Sequence, residues 1–323
     1  MTSTARRDLL VNLLRLGGLS AGAAGLGFWL NLRSRRPEEP AAAVLEHDFT
    51  VPREPNLPEM AVIQGDDPRK LVRRAIEELG GIKRFIARGD VVVVKPNVAW
   101  DRTAEQAANT NPEVVAETVR LCLEAGAARV IVTDVGVNDA RRCFERSGIG
   151  ASARAAGADL ILPEERKFKN VDLRGETLGP WPVFEPFLAA DKMINIPIAK
   201  HHSLTGATLG MKNWFGILGG PRHRLHQRIH ESLVDLAAFM RPTLTILDAW
   251  RVLVRNGPTG GSSDDVALKK TLIAGTDPVA IDAYAAKAYW DLDHQRLRYL
   301  KLAADRGLGT MDFEKVRTRL AAV

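Results

Sequence analysis

The sequence predicts an α/β fold: a mostly parallel β-sheet with helices on both faces, built as one domain or as two subdomains around a cleft. Three observations carry that prediction. Short β-branched runs alternate with helical patterns from residue 60 to near the C-terminus, the order expected of βαβ units. The run DVVVVKPN is apolar at consecutive positions and leaves no face for solvent, as in a strand covered on both sides. At 323 residues, 46% apolar and 26% charged, the chain has ample material for such a core.

The elements follow in order. MAVIQG reads as a first strand, and PRKLVRRAIEELGG as a helix with apolar residues at helical spacing. DVVVVKPN is a buried strand. NPEVVAETVRLCLEAGA is a second helix, opened by Asn111 as cap and Pro112 in the first turn. RVIVTDV is the next strand and NDARRCFERSG the next helix. After ADLILPE and a region broken by Pro and Gly, KMINIP, LTILDAW and KTLIAG are further strands, and a helix runs over 277–290. In parallel sheets ligands bind beyond the C-terminal ends of the strands. That rule singles out Lys95, Asn97, Asp134, Lys200 and Asp248.

Residues 1–36 have a different character. Arg6-Arg7, one polar residue and two leucines precede an uncharged, Gly/Ala-rich stretch of 17 residues over 16–32. This resembles a twin-arginine export signal, whose translocase carries folded proteins. The stretch is also at the short limit of a bilayer span, so the segment is a cleaved signal or a retained membrane anchor. The expected location is the periplasm or the outer face of the cytoplasmic membrane, and the expected partner is the translocase. Residues 37–59, rich in proline and acid, read as a linker, and 60–323 as the folded domain.

The formal charge of +6 belongs to that leading segment. Without residues 1–36 the chain holds 39 basic and 38 acidic residues, a net of +1. A phosphate-tracking surface needs its excess charge in the folded body, so nucleic acid is not an expected partner. The two cysteines, Cys122 and Cys143, are too few to ligate an iron–sulfur cluster, which takes four thiolates.

Chemistry-bearing residues concentrate in AKHHSLTGATLGMKNWFGILGGPRHRLHQRIH, over 199–230. Lys200 and His202 follow the strand KMINIP, on what reads as a loop. Gly206 and Gly210 allow close backbone approach, and Lys212-Asn213 adds a second cation and an amide. His226 and His230 stand four apart and share a face if the segment is helical. Histidines in that spacing suit a divalent metal or a metal-containing cofactor, with His202, His226 and His230 as ligands. Interleaved Arg222, Arg224 and Arg228 speak against a bound cation unless they point away. Lysines beside the histidines suit a carboxylate or phosphate, or act as acid and base if burial lowers their proton affinity. Trp214 and Phe215 read as packing residues. Lys95 closes an otherwise apolar strand and must be paired or functional. Asp277 reads as a helix cap, and Asp282 interrupts the apolar face of the same helix, so it needs a partner.

The ordered set KPN, ADKMINIPIAKHH, TGATLGMKNWFG, ILDAW, NGPTGG, AGTDPVAIDAYAA and DRGLG resembles the domain-of-unknown-function family numbered 362 (DUF 362), over nearly the whole body. The resemblance implies family positions at Lys200 and His202, at Lys212-Asn213, and at Asp277 and Asp282; His201 falls where the family usually has a small residue. Many relatives carry a ferredoxin-like module that this chain lacks. The order of strand, histidine, Gly-rich loop with lysine and later histidine is also similar in layout to nickel-pincer lactate racemases, which implies a nickel cofactor and movement of a proton or hydride at a hydroxy-acid carbon.

The expected function is therefore an exported enzyme of redox or isomerase type acting on a small anionic substrate. Lys200, His202 and Lys212 are the expected catalytic residues. Lys95, Asn97, Asn213, Asp277 and Asp282 are the expected substrate-binding residues. The alternative is a non-catalytic exported binding protein for an anionic metabolite.

Overall fold

The computed structural model describes residues 48–323. The export-like segment and most of the linker lie outside them. Packing reaches back beyond residue 60, because Phe49, inside the linker-like composition, is buried.

The first half follows the alternation read from the sequence. Strand β1 (Met60–Gln64) leads to helix α1 (Pro68–Glu78), capped by the Asp67 side chain. Strand β2 (Val91–Pro96) is followed by helix α2 (Pro112–Glu124), with Asn111 as cap and Pro112 in the first turn. Strand β3 (Arg129–Val132) precedes helices α3 (Ala140–Arg146) and α4 (Ile149–Ala155). The sequence pattern shows one helix there, ending at Gly148, which corresponds to α3; α4 is a second helix beyond it. Gly148 takes φ +76°, a conformation an α-helix cannot continue through, and separates the two. Strand β4 (Asp159–Leu160) is short, and strands β5 (Phe168–Asp172) and β6 (Pro180–Phe184) form a separate antiparallel hairpin in the Pro/Gly-broken region.

The second half begins with β7 (Lys192–Ile196), then β8 (Ile198–His202), β9 (Gly206–Thr208) and the one-turn helix α5 (Gly210–Asn213). A 3₁₀ segment over Arg222–Arg228 precedes helix α6 (Ile229–Phe239). Long strands β10 (Leu244–Leu253) and β11 (Val266–Gly275) follow, then helix α7 (Pro278–Trp290), helix α8 (Arg298–Asp305) and strand β12 (Thr318–Ala322).

The main sheet runs β12-β1-β11-β10-β7-β2-β3-β4, with β8 and β9 branching from β10. It is mostly parallel, as the alternation predicts. The antiparallel exceptions are β11, against both β1 and β10, and the β8–β9 pair. Side-chain alternation explains the uniformly apolar β2. Val92 and Val94 enter a core with Leu71, Ile76 and Val119, whereas Val93 enters the opposite core with Trp214, Leu233 and Tyr299. Both faces are covered by helices, so neither phase of the strand can be polar.

Two local expectations change. Lys200 and His202 do not sit on a loop. Pro197 lacks an N–H and interrupts the ladder, but its carbonyl accepts from Asp248 N at 2.9 Å, and the chain resumes as β8. The His226/His230 segment is also not one α-helix. Its first half is 3₁₀, so the two histidines are on differently phased turns.

Candidate functional site

A cavity of about 490 Å³ opens at the ends of β2, β3 and β8, where the strand-end rule expects a ligand. Its lining includes Asn97, Asp134, Lys200, His202, Lys212, Asn213, Arg222 and His226. Six of the residues expected from the sequence line it: Lys200, His202, Lys212, Asn97, Asn213 and His226. A seventh, Lys95, lies directly behind the wall, bonded to Asp134.

Lys95 is 0% exposed. Its ammonium donates to Asp134 Oδ1 at 2.6 Å and to the Pro96 carbonyl at 3.2 Å. Burial pulls its proton affinity down and Asp134 pulls it up. Asp134 also accepts from Val98 N at 2.6 Å, so its carboxylate is engaged on both oxygens. Gly216 lies against this pair. A Cβ there would stand 2.0 Å from Asp134 Oδ1 and 2.7 Å from Lys95 Nζ; only glycine lets the backbone approach.

An amide relay fixes the floor. Asn97 Nδ2 donates to Asn213 Oδ1 at 2.9 Å, Asn213 Nδ2 to Asn195 Oδ1 at 2.8 Å, and Asn195 Nδ2 to the Gly210 carbonyl at 3.0 Å. The relay orients Asn97 Oδ1 toward Lys200 Nζ, which donates to it at 3.0 Å and to the Ala108 carbonyl at 2.7 Å. Lys200 is 1% exposed. Burial, reinforced by the charge of Lys212, lowers its pKa to about 7.

Lys212 differs. Its ammonium stands 4.4 Å from the Phe215 ring centroid, and among the described residues it finds no carboxylate or hydrogen-bond acceptor. Burial, with Arg222 nearby, lowers its pKa to about 8. Phe215 is therefore more than packing, since its ring face holds the cation. Trp214 is fully buried, as expected of a core residue.

His202 is 4% exposed, and its Nδ1 accepts from Leu204 N at 3.1 Å. An accepting Nδ1 carries no proton, so the neutral ring holds its hydrogen on Nε2 as a donor. Burial and the neighbouring Lys212 lower its pKa to about 3, which keeps the ring neutral. Arg222, which the sequence reading treats only as a charge opposing metal, donates to the Val135 carbonyl at 2.6 Å and to the Gly136 carbonyl. It ties the loop after β3 to the cavity rim.

The expected metal set is not assembled. His202 has its unprotonated nitrogen occupied by Leu204 and presents a proton on the other. His226 meets Phe215 edge-on at 5.7 Å. His230 stacks on Tyr299 at 6.4 Å and does not line the cavity. Among the described residues, no group of three or more His, Cys, Asp or Glu side chains is arranged to hold a metal ion. The donor set, with Lys200, Lys212 and Arg222 around it, fits an anion and not a directly ligated cation.

Asp277 and Asp282 also do not line the cavity. Asp277 caps α7 through Val279 N and Ala280 N and accepts from Thr310 N. Asp282, 0% exposed, accepts from Gly210 N at 2.7 Å and Met211 N at 3.0 Å. It satisfies the free N–H groups that open α5 and so fixes the turn carrying Lys212 and Asn213. Burial raises its pKa to about 7 against those two bonds. Asp248 bonds Asn111 N and Trp250 N away from the cavity. Asp134 and Arg222 received no role from the sequence. The strand-end rule pointed at the first, and nothing in the local pattern separates the second from its neighbouring arginines.

The sequence profile described as "Domain of unknown function (DUF362)" matches residues 92–287. The chain belongs to this family. The matched span holds β2, both lysines of the cavity and Asp282. A thylakoid-associated protein of Synechocystis is 29% identical over 226 residues, covering 65% of this chain and 66% of its own length. Among solved structures, the lactate racemase apoprotein from Thermoanaerobacterium thermosaccharolyticum superimposes with a TM-score of 0.42 at 10% identity, over 70% of this chain and 56% of that one. A Thermotoga maritima protein gives a TM-score of 0.35 at 13% identity, over 74% and 58%. Likeness at this level does not bear on the chemistry of the DUF362 cavity.

Proposed function

We propose that the cavity binds a small anion bearing a carboxylate or phosphate and moves a proton on it. Lys212 is the acid–base group, Lys200 the fixed cation and His202 a neutral donor through Nε2. One observation carries this reading: two lysines open onto a cavity in which the lining carboxylate, Asp134, is already paired with Lys95. The excess positive charge sits in a desolvated space and is relieved by an incoming anion or by loss of a proton. A lysine able to do either near neutral pH is suited to general acid–base work. Isomerase-type proton transfer follows from these groups directly, since they supply an acid–base amine and a neutral donor.

Isothermal calorimetry with inorganic phosphate, acetate and pyruvate tests the reading. One anion per chain is expected, with affinity falling at least about tenfold in Lys212→Met and in Lys200→Met, the loss expected when a charged hydrogen-bond donor is removed. No binding of any of the three, or binding unchanged in both variants, overturns it.

Export is proposed on the residues already named, Arg6-Arg7 and the uncharged 16–32 stretch, which lie outside the described residues. Among the described residues no helix is long and apolar enough to cross a membrane. Attachment to a membrane through an uncleaved leading segment is part of the same proposal.

A further inference from the structure

The two cavity lysines are chemically unequal, and the inequality selects between binding and bond formation. Lys200 donates to Asn97 Oδ1 and to the Ala108 carbonyl. Both acceptors reward the protonated form and hold Nζ in place. Lys212 has an aromatic face on one side, the cavity on the other, and among the described residues no acceptor to hold its protons. Its turn is fixed from below by Asp282, through Gly210 N and Met211 N. It is an amine on a fixed turn that lines the cavity.

We propose that Lys212 forms an imine with a carbonyl-bearing anion of the 2-oxo acid class, the carboxylate resting against Lys200 and the carbonyl oxygen against His202 Nε2–H. This rests on the anion-binding reading of the cavity and gives Lys212 a covalent role in place of the acid–base one. The Nζ lone pair bonds to the carbonyl carbon and the C=O π pair moves to oxygen. An Nζ proton passes to that oxygen, giving a carbinolamine. Water then leaves, taking oxygen and two protons in all, and the C=N bond forms with no change in oxidation level. Once protonated, the imine withdraws electrons from the adjacent carbon and makes its proton transferable. Asn97 and Asn213 line the same cavity and offer no competing nucleophile.

Burial supports the assignment. With its pKa near 8, about half of Lys212 is the free amine at pH 8, against roughly one part in three hundred for an ordinary lysine.

The test uses the full chain with pyruvate and sodium cyanoborohydride at pH 8, read by intact mass and peptide mapping. The expected product is one 1-carboxyethyl group on Lys212, formed at least about tenfold faster than on any other lysine and suppressed by saturating inorganic phosphate. Lys212→Arg is expected to lose the adduct, with no other lysine taking it up in its place. Phosphate binding at the cavity with no preferred adduct, or with the adduct on Lys200, overturns the imine and leaves the anion site standing. Failure of both phosphate and pyruvate to bind overturns both.

Discussion

At the residue scale the chemistry depends on how little compensation the cavity lysines receive. Lys212 is held by a ring face, not by a carboxylate, so its charge is a cost to the folded state. The folded pKa lies below the ordinary value of 10.5. The unfolded chain therefore binds more protons between about pH 8 and 10.5, and stability from this group rises with pH across that window. Lys212→Met is expected to stabilise the protein by on the order of 1–2 kcal/mol at pH 7, allowing for water in the cavity, and by nothing at pH 10.5. Denaturant unfolding at both pH values checks this; a variant less stable at pH 7 contradicts it. Gly216→Ala forces a Cβ onto Asp134 and Lys95 and is expected to cost about 1–3 kcal/mol and to weaken phosphate binding. Unchanged melting and binding would show that the loop moves aside freely. Lys95, Asn97, Lys200 and Lys212 were legible because each breaks an apolar pattern at a strand end or in a Gly-rich turn. His230 was misplaced because its direction depends on whether the preceding turn is α or 3₁₀, and the spacing of two histidines does not encode that choice.

At the element scale, the turn Gly210–Asn213 is too short to hold itself. Asp282, on α7, supplies the hydrogen bonds that a local cap would supply. The sequence showed that this buried carboxylate needs a partner but not that the partner is backbone 71 and 72 residues earlier. Asp282→Ala leaves two buried N–H groups unmet and is expected to cost about 3 kcal/mol. It is also expected to lower phosphate affinity without removing any cavity contact. A variant that loses stability but binds phosphate normally would separate Asp282 from the site. Strand β8 makes a related point. Pro197 reads as the end of a strand, yet the chain pairs again with β10 immediately afterward. That pairing fixes Lys200 and His202 as strand residues on a rigid frame, which a local reading of the proline does not reveal.

At the scale of the whole molecule, the alternating pattern gave the α/β class and the parallel sheet because each strand had to be apolar on both faces. The β5–β6 hairpin and the edge strand β12 were missed, since both are half-exposed and their sequences carry little periodicity. Charge is segregated at this scale too. The body is nearly neutral while the cavity is cationic, so attraction for an anion is local to one place. The leading segment carries the arginine excess, and Arg6→Lys with Arg7→Lys is expected to leave the protein in the cytoplasm on cell fractionation. Unaltered export would contradict the twin-arginine reading.

The central claim is that two desolvated lysines form an anion site, and a pH titration of the protein labelled with ¹³C at lysine Cε tests it most directly. Two resonances are expected to titrate near pH 7 and near pH 8, one removed by Lys200→Met and the other by Lys212→Met. Saturating inorganic phosphate is expected to raise both midpoints by about one unit or more. If every lysine instead titrates near its ordinary value of about 10.4, or phosphate moves neither resonance, the cavity is not the site described.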